Sequence, residues 1–239
     1  MKKNLPRDSS VERILDRQMR LWESERVQHP PEAAPVRPNL TISRRPFSGA
    51  EELADRLTAR LGWELYDRRI VDLLHQNDSL GKSVLESLDE RLLDLREDWM
   101  YQLFVPGHTP TPGYVQRLSR LVFSIAMRGH AVILGRGANL IVPQQHRLAV
   151  LVCRSPEARL QRYQHEHGGT HEAAHRELAR LDRERGDFVL RSFHRNAEDP
   201  LSYDLCVNLD SLSLEVAEDV IVRALEAKFP HLKQAAGAR

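Results

Sequence analysis

Short apolar runs alternate along this chain with longer stretches whose apolar residues recur at three- and four-residue spacing. Leu40 and Ile42 alternate with polar neighbours and predict a first strand. Beyond Pro46 the spacing becomes helical, with Leu53, Ala54, Leu57 and Leu61 on one face and Gly62 as the C-cap. Trp63–Asp67 predicts a short second strand, followed by a helix over residues 68–76. Leu85, Leu88, Leu92 and Leu95 place a charged amphipathic helix within residues 79–101, and the Pro- and Gly-rich residues 106–113 predict a loop. Tyr114–Arg128 reads as a helix with Leu118, Leu121, Val122 and Ile125 turned inward. His130–Gly135 and Arg147–Cys153 are continuous apolar runs, the pattern of strands buried on both faces. Ser155-Pro156 opens the next helix, Thr170 to about Phe193 forms a long one, Leu205–Leu209 is the last strand, and Leu214–Lys228 closes the fold. Five strands interleaved with helices predict an α/β domain: a five-stranded parallel sheet covered by helices on both faces.

The N-terminal region is organised differently. Ser9-x-x-Glu12 is a capping box ahead of an amphipathic helix over about residues 10–26, with Val11, Ile14, Leu15 and Trp22 on one face. His29–Pro38 holds four prolines in ten residues and predicts a semi-rigid extended linker. The expected division is therefore 1–38 as an appendage and 39–239 as the α/β domain. The periodicity shows a buried face on the 10–26 helix but not what buries it. It packs back on its own domain, or it docks on a second copy or another protein partner.

Composition narrows the partners. The 35 basic and 34 acidic residues leave a net charge of +1, and no basic stripe is interleaved with aromatics, so no nucleic-acid partner is expected. No window is apolar enough for a membrane span, and no signal-peptide pattern opens the chain. Cys153 and Cys206 lie in apolar runs and are expected to be buried, reduced thiols of a cytoplasmic protein. His165, His167, His171 and His175 cluster around Gly168-Gly169, but no third ligand stands at metal spacing, so no metal site is expected there.

The candidate chemistry sits at strand ends. A strand entering a helix through a small-residue turn, as at 39–62, is the shape of a phosphate-binding loop, because the helix's first N–H groups point into the turn. The fixed positions of G-x-x-x-x-G-K-[ST] fall here on Arg45, Ala50, Glu51 and Glu52, so the loop is absent by motif. Ser48 and Glu51 also make a capping box, which explains both without a ligand. Gly135-Arg136-Gly137 ends an expected buried strand with a tight turn and a guanidinium suited to forked recognition of phosphate or a base edge. Asp67 ends the second strand, where it either faces a ligand or caps the following helix.

Four stretches in order resemble the cytidylate kinase-like proteins, within the P-loop nucleoside monophosphate kinases. They are Ile42-Ser43-Arg44 with Ser48-Gly49-x-x-Glu52-Leu53-Ala54; Leu65-Tyr66-Asp67; Gly135–Asn139; and Asp199-Pro200-x-x-Tyr203-Asp204-Leu205-x-Val207-Asn208. The resemblance covers roughly residues 39–228 and implies the P-loop kinase strand order, with a helical lid over about 164–200. It implies Mg-ATP as phosphoryl donor and CMP or another nucleoside monophosphate as acceptor. Arg44, with Arg183 and Arg185 as lid arginines, would serve the transferring phosphoryl group. Ser48, Gly49 and Ala50 would hold the donor, and Asp67 and Arg136 the acceptor. Along 170–193, Glu177, Asp182 and Glu184 can equally pair with the arginines as an ordinary solvated helix face.

Two functional readings follow. One is ATP-dependent phosphoryl transfer to a pyrimidine nucleoside monophosphate, opposed by a carboxylate, Glu51, at the lysine position. The other is a catalytically impaired kinase-fold protein that binds nucleotides or regulates a partner through its N-terminal helix.

Overall fold

A computed structural model of the protein describes residues 37–67 and 114–232. The helices expected at 10–26, 68–76 and 79–101, most of the proline-rich linker and the loop at 106–113 lie outside the described residues. The chain divides into Met1–Pro35 and Val36–Arg239, and every described residue belongs to the second unit.

The strands are β1 (Asn39–Arg44), β2 (Glu64–Tyr66), β3 (Ala131–Leu134), β4 (Arg147–Cys153) and β5 (Leu205–Asn208). They form one sheet of order β2-β3-β1-β4-β5, parallel throughout. The described helices are α1 (Ala50–Leu61), α2 (Tyr114–Arg128), the short α3 (Ala138–Ile141), α4 (Pro156–His167), α5 (His171–Phe193) and α6 (Leu214–Lys228).

Side-chain alternation on the central strand β1 separates the two layers. Leu40 and Ile42 pack with Val132, Leu134, Leu148 and Val150 against Leu53 and Leu57 of α1 and Ile221 and Leu225 of α6, all buried. Asn39 and Thr41 point the other way, and both are fully buried. The Asn39 amide donates to the carbonyls of Ala126 in α2 (2.8 Å) and His146 (2.9 Å), and its Oδ1 accepts from the Ala131 N–H (3.3 Å). One buried amide thus ties α2 and the starts of β1, β3 and β4 together, with its bonds satisfied as burial demands.

The topology creates a crevice. The connection leaving β1 enters α1 on one face, whereas the connection leaving β3 enters α3, which packs with α2 on the other. Adjacent parallel strands whose connections part in this way leave an opening at their C-terminal ends.

Two expectations are corrected. The Ser48–Glu51 capping box does not form: the N-cap of α1 is Gly49, and no side chain caps the helix. To reverse the chain after β1, Phe47 and Gly49 both take positive φ, 60° and 90°. Ser48 is thereby turned into the interior, fully buried and with no hydrogen-bond partner for its hydroxyl, while Glu51 reaches Arg44 Nε at 3.0 Å. The thiols are free, but only Cys153 is half-buried, and Cys206 is exposed. Strand β5 lies at the sheet edge, so Cys206 and Asn208 alternate outward while Val207 faces the core. Burial pushes the Cys153 thiol up from its ordinary value.

Candidate functional site

The crevice at the ends of β1 and β3 opens into a cavity of about 330 Å³. Its floor comes from β1, α3, β4 and the loop before β5: Ser43, Asn139, Leu151 and Tyr203. The Ser43 hydroxyl donates to Asn139 Oδ1 (3.3 Å), and the Tyr203 hydroxyl donates to the Ala197 carbonyl (2.6 Å). Burial raises the Tyr203 phenol above its ordinary range, so at neutral pH it is a hydrogen-bonding hydroxyl and not an anion. The cavity wall sets arginines among carboxylates and an aromatic ring, with Arg44 at the end of β1 and Arg45 after it, Arg136 from the β3 turn, Asp182, Glu184, Arg185, Phe188 and Val189 from α5, and Glu198 from the loop before β5.

The β3 turn is built by glycine. Gly135, Arg136 and Gly137 all have positive φ, 84°, 56° and 67°. A Cβ on Gly135 would collide with the Arg44 guanidinium, and one on Gly137 with the Phe193 ring. Bare backbone at these points lets Arg44 lie across the end of β3 and lets the end of α5 close on the turn. The Arg136 guanidinium carbon sits 5.6 Å from the centroid of the Phe188 ring, a cation–π contact.

The helical pair α4–α5 covers this edge. It is joined by Gly168–Thr170, and Leu160 packs on Ala174 and Leu178, with Phe47 of the β1 turn and Tyr163 against them. Phe47 meets the Tyr163 ring edge-on at 5.1 Å, and Tyr163 stacks on His167 at 4.7 Å. Among the described residues no group of three His, Cys, Asp or Glu is arranged to hold a metal ion.

Carboxylates hold the arginines of this edge. Arg159, with its side chain only 3% exposed, donates to both Asp182 oxygens (2.9 and 2.7 Å) and to the Pro46 carbonyl (3.3 Å). Arg45 bonds Asp182 (3.3 Å) and Glu198, and the Glu198 contact holds its guanidinium above its ordinary range. Arg162 spans Glu52 (2.9 Å) and Glu166 (2.9 Å), and Arg44 holds Glu51. The Arg162 bond keeps the Glu52 carboxyl below the usual glutamate range. Asp182 is therefore the hub that fixes the β1 turn to both covering helices.

The sequence-derived candidates scatter over this frame. Arg44, Arg136 and Arg185 meet at the cavity, and Arg185 Nη1 donates to the Arg44 carbonyl at 3.3 Å. Ser48, Gly49 and Ala50 form the buried start of α1. Arg183 is exposed along α5, its Nε on the Ala179 carbonyl (3.3 Å), and it is not part of the cavity wall. Asp67 follows β2, away from the cavity lining, and its charge is felt by Asp55 of α1. Sequence reasoning missed Asp182, Arg159, Arg45, Arg162 and Tyr203. The arginines of α4 carried a signal only as an i,i+3 pair facing the turn. Tyr203 lies in the last of the four family-like stretches, where its phenol carries no sequence signal of its own. Asp204, from the same stretch, is structural. Its carboxylate accepts the Ala149 N–H (2.7 Å) and forms an ion pair with the Lys228 ammonium (2.8 Å), completing the sheet where β5 begins.

A parallel sheet of this order, with helices on both faces and a helical pair over its C-terminal edge, has the architecture of a P-loop nucleoside monophosphate kinase-like α/β protein. The chain belongs to the cytidylate kinase-like family, whose sequence model matches residues 39–211. A crystal structure of an uncharacterized protein from Eubacterium ventriosum is similar to it, with 18% identity and a TM-score of 0.63, covering 80% of this chain and 99% of that one. Shikimate kinase from Bacteroides thetaiotaomicron shares 13% identity at a TM-score of 0.43, covering 79% of this chain and 98% of its own. Shikimate kinase from Acinetobacter baumannii, in complex with shikimate, shares 13% at 0.42, covering 81% and 95%. No curated protein matches the chain. Among the described residues no helix is long and apolar enough to cross a membrane.

Proposed function

We propose that this kinase-like nucleotide-binding protein takes a nucleoside monophosphate, with CMP the first candidate, into the cavity at the ends of β1 and β3. The observation that carries this reading is the convergence of Arg44, Arg136 and Arg185 on a cavity with the polar floor Ser43, Asn139 and Tyr203. Its volume of about 330 Å³ falls within the range of small-ligand sites. Guanidinium groups suit the forked geometry of a phosphate, and Phe188 supplies an aromatic face. Arg136 and Arg185 would hold the acceptor phosphate, and Arg44 would neutralise charge on the transferring group.

The donor in this reading is Mg-ATP, with Ser48, Gly49 and Ala50 at the start of α1 lending backbone N–H groups to its phosphates. Two features fit an anion there. Gly49 starts the helix with no side-chain cap, and the buried Ser48 hydroxyl lacks a partner. Phosphoryl transfer rests on positioning and positive charge. With Glu51 at the lysine position and bonded to Arg44, the proposed transfer is slow and limited by this pair. That same pair favours a second reading, binding of nucleotide without transfer.

Calorimetric titration with CMP, UMP and AMP tests the reading, followed by a coupled phosphotransfer assay. Saturable binding of one monophosphate in the micromolar to sub-millimolar range, about what enzymes of this kind show for substrates, supports it. Binding with no turnover selects the second reading. No binding of any monophosphate removes both.

A further inference from the structure

Two walls of the cavity are joined by an ion pair that stands in solvent. Arg45 comes from the turn after β1 and Glu198 from the loop before β5, and both line the cavity. Their side chains bond each other while remaining 42% and 53% exposed, so the pair crosses the cavity at its solvent-facing rim. The two partners are held unequally. The Arg45 guanidinium also meets Asp182 at 3.3 Å, and Asp182 is fixed on α5 by the buried Arg159 at 2.7 Å. Among the described residues the Glu198 carboxylate pairs with Arg45 alone. The backbone that carries it is tied down: the Glu198 N–H donates to Asn196 Oδ1 (3.0 Å), and the neighbouring Ala197 carbonyl accepts the Tyr203 hydroxyl (2.6 Å). What can move here is the Glu198 side chain, about its own torsions.

We infer that Arg45 and Glu198 form an ionic gate across the rim of the cavity, with Arg45 as the fixed post and the Glu198 side chain as the leaf that swings aside to admit a ligand. The inference rests on the nucleotide reading above only for what enters; it assigns how the cavity opens. An exposed ion pair is weak, because water competes for both charges and fixing two long side chains costs conformational entropy. Such a pair favours its closed arrangement by about fivefold at most. Strength of that order suits a gate. The rim is closed most of the time, yet opening needs one carboxylate to change rotamer and no helix to shift. The Asp182–Arg159 pair is the opposite case. With the Arg159 side chain only 3% exposed, breaking it would strand a buried charge, so the post stays in place while the leaf turns.

The experiment measures entry into the cavity of the full chain and needs no nucleotide. Ser43→Cys places a thiol on the cavity floor. Iodoacetamide, a neutral probe, alkylates it at a rate read peptide by peptide in mass spectra, with the exposed Cys206 as internal standard. The rate is then measured with Glu198→Gln or Arg45→Gln added. Both are expected to speed alkylation by about two- to fivefold, since either one opens the pair. The reacting species is the thiolate, so an effect of charge alone would separate the two variants. Losing the carboxylate would speed the reaction, and losing the guanidinium would slow it. Anything but acceleration in both overturns the inference. Salt gives a second reading: raising the ionic strength should speed labelling of Ser43→Cys and leave the Glu198→Gln form unchanged. If Arg45→Gln fails to fold, this salt comparison decides, and equal salt dependence in the two forms overturns the inference. If Ser43→Cys fails to fold, Leu151→Cys carries the thiol on the same floor. CMP separates the gate from the nucleotide reading. If both variants label faster but CMP never slows labelling, the gate stands and the nucleotide reading falls. If CMP protects the thiol while all forms label at one rate, the gate falls and the nucleotide reading stands.

Discussion

The turns that follow β1 and β3 stand side by side at one sheet edge and solve the same problem in opposite ways. The β3 turn is made of glycine. Gly135 and Gly137 flank Arg136 at positive φ, and their missing side chains are filled by Arg44 and Phe193. The β1 turn holds one glycine and takes its path through Phe47 at φ 60°, Gly49 at φ 90° and a shell of ion pairs. In the first, backbone freedom creates room for side chains. In the second, Arg159 and Asp182 of the covering helices clamp the turn through the Pro46 carbonyl and Arg45. A strand-to-helix turn can thus be held by ion pairs where a glycine-rich motif is absent.

The clamp offers the largest effect. Asp182→Ala would leave the Arg159 guanidinium, 3% exposed, without its carboxylate. We expect a loss of about 3–5 kcal/mol in urea unfolding, the range for breaking one side of a buried pair. A loss below about 1 kcal/mol, the surface-pair range, would show that the turn does not depend on the clamp. The glycine turn comes next. Gly137→Ala combines a disfavoured φ of 67° with a collision against the Phe193 ring and should cost about 3 kcal/mol. Gly62→Ala, at the C-cap of α1 with the same φ of 67° but open space around it, should cost about 1 kcal/mol. Equal losses in the two would remove the packing part of the argument. Smaller still is Glu51→Gln, which breaks the half-exposed Arg44 pair and should move stability by less than about 1 kcal/mol.

The smallest effects are electrostatic and oppose each other. Arg162 depresses the Glu52 carboxyl, so its contribution to stability is present above the ordinary glutamate range and is lost as pH falls through its lowered folded value. Asp55 is raised, first by burial and then by Asp67, Glu51 and Glu52. Its ionised form opposes folding, so protonation on acidification relieves the fold. An NMR titration of side-chain carboxyls should find Glu52 below and Asp55 above their ordinary ranges, and Asp55→Asn should slightly stabilise the protein at neutral pH. The reverse order of the two carboxyls would contradict the charge layout at the start of α1.

The fold was legible where the physics is local. Continuous apolar runs marked β3 and β4, and helical spacing marked α2 and α6, with β4, α2 and α6 ending where the pattern ended. The site was legible where one residue sits at a strand end, as with Arg44 and Arg136. It was illegible where a side chain chooses among distant partners. Ser48-x-x-Glu51 fits a capping box, but Arg44, seven residues back on β1, takes the Glu51 carboxylate. Asp182 reads as one more charge on a solvated helix until the α4–α5 pair brings Arg159 against it. Cys206 reads as buried because an apolar run does not say which strand lies at the edge.

The central claim, that the cavity between the β1 and β3 turns receives a nucleoside monophosphate, is tested most directly by mapping amide chemical shifts while CMP is added. The account predicts saturable changes concentrated in residues 43–45, 135–139 and 185–189, with Arg185→Ala weakening the binding by about tenfold. Changes confined to other surfaces, or none up to millimolar CMP, would contradict it.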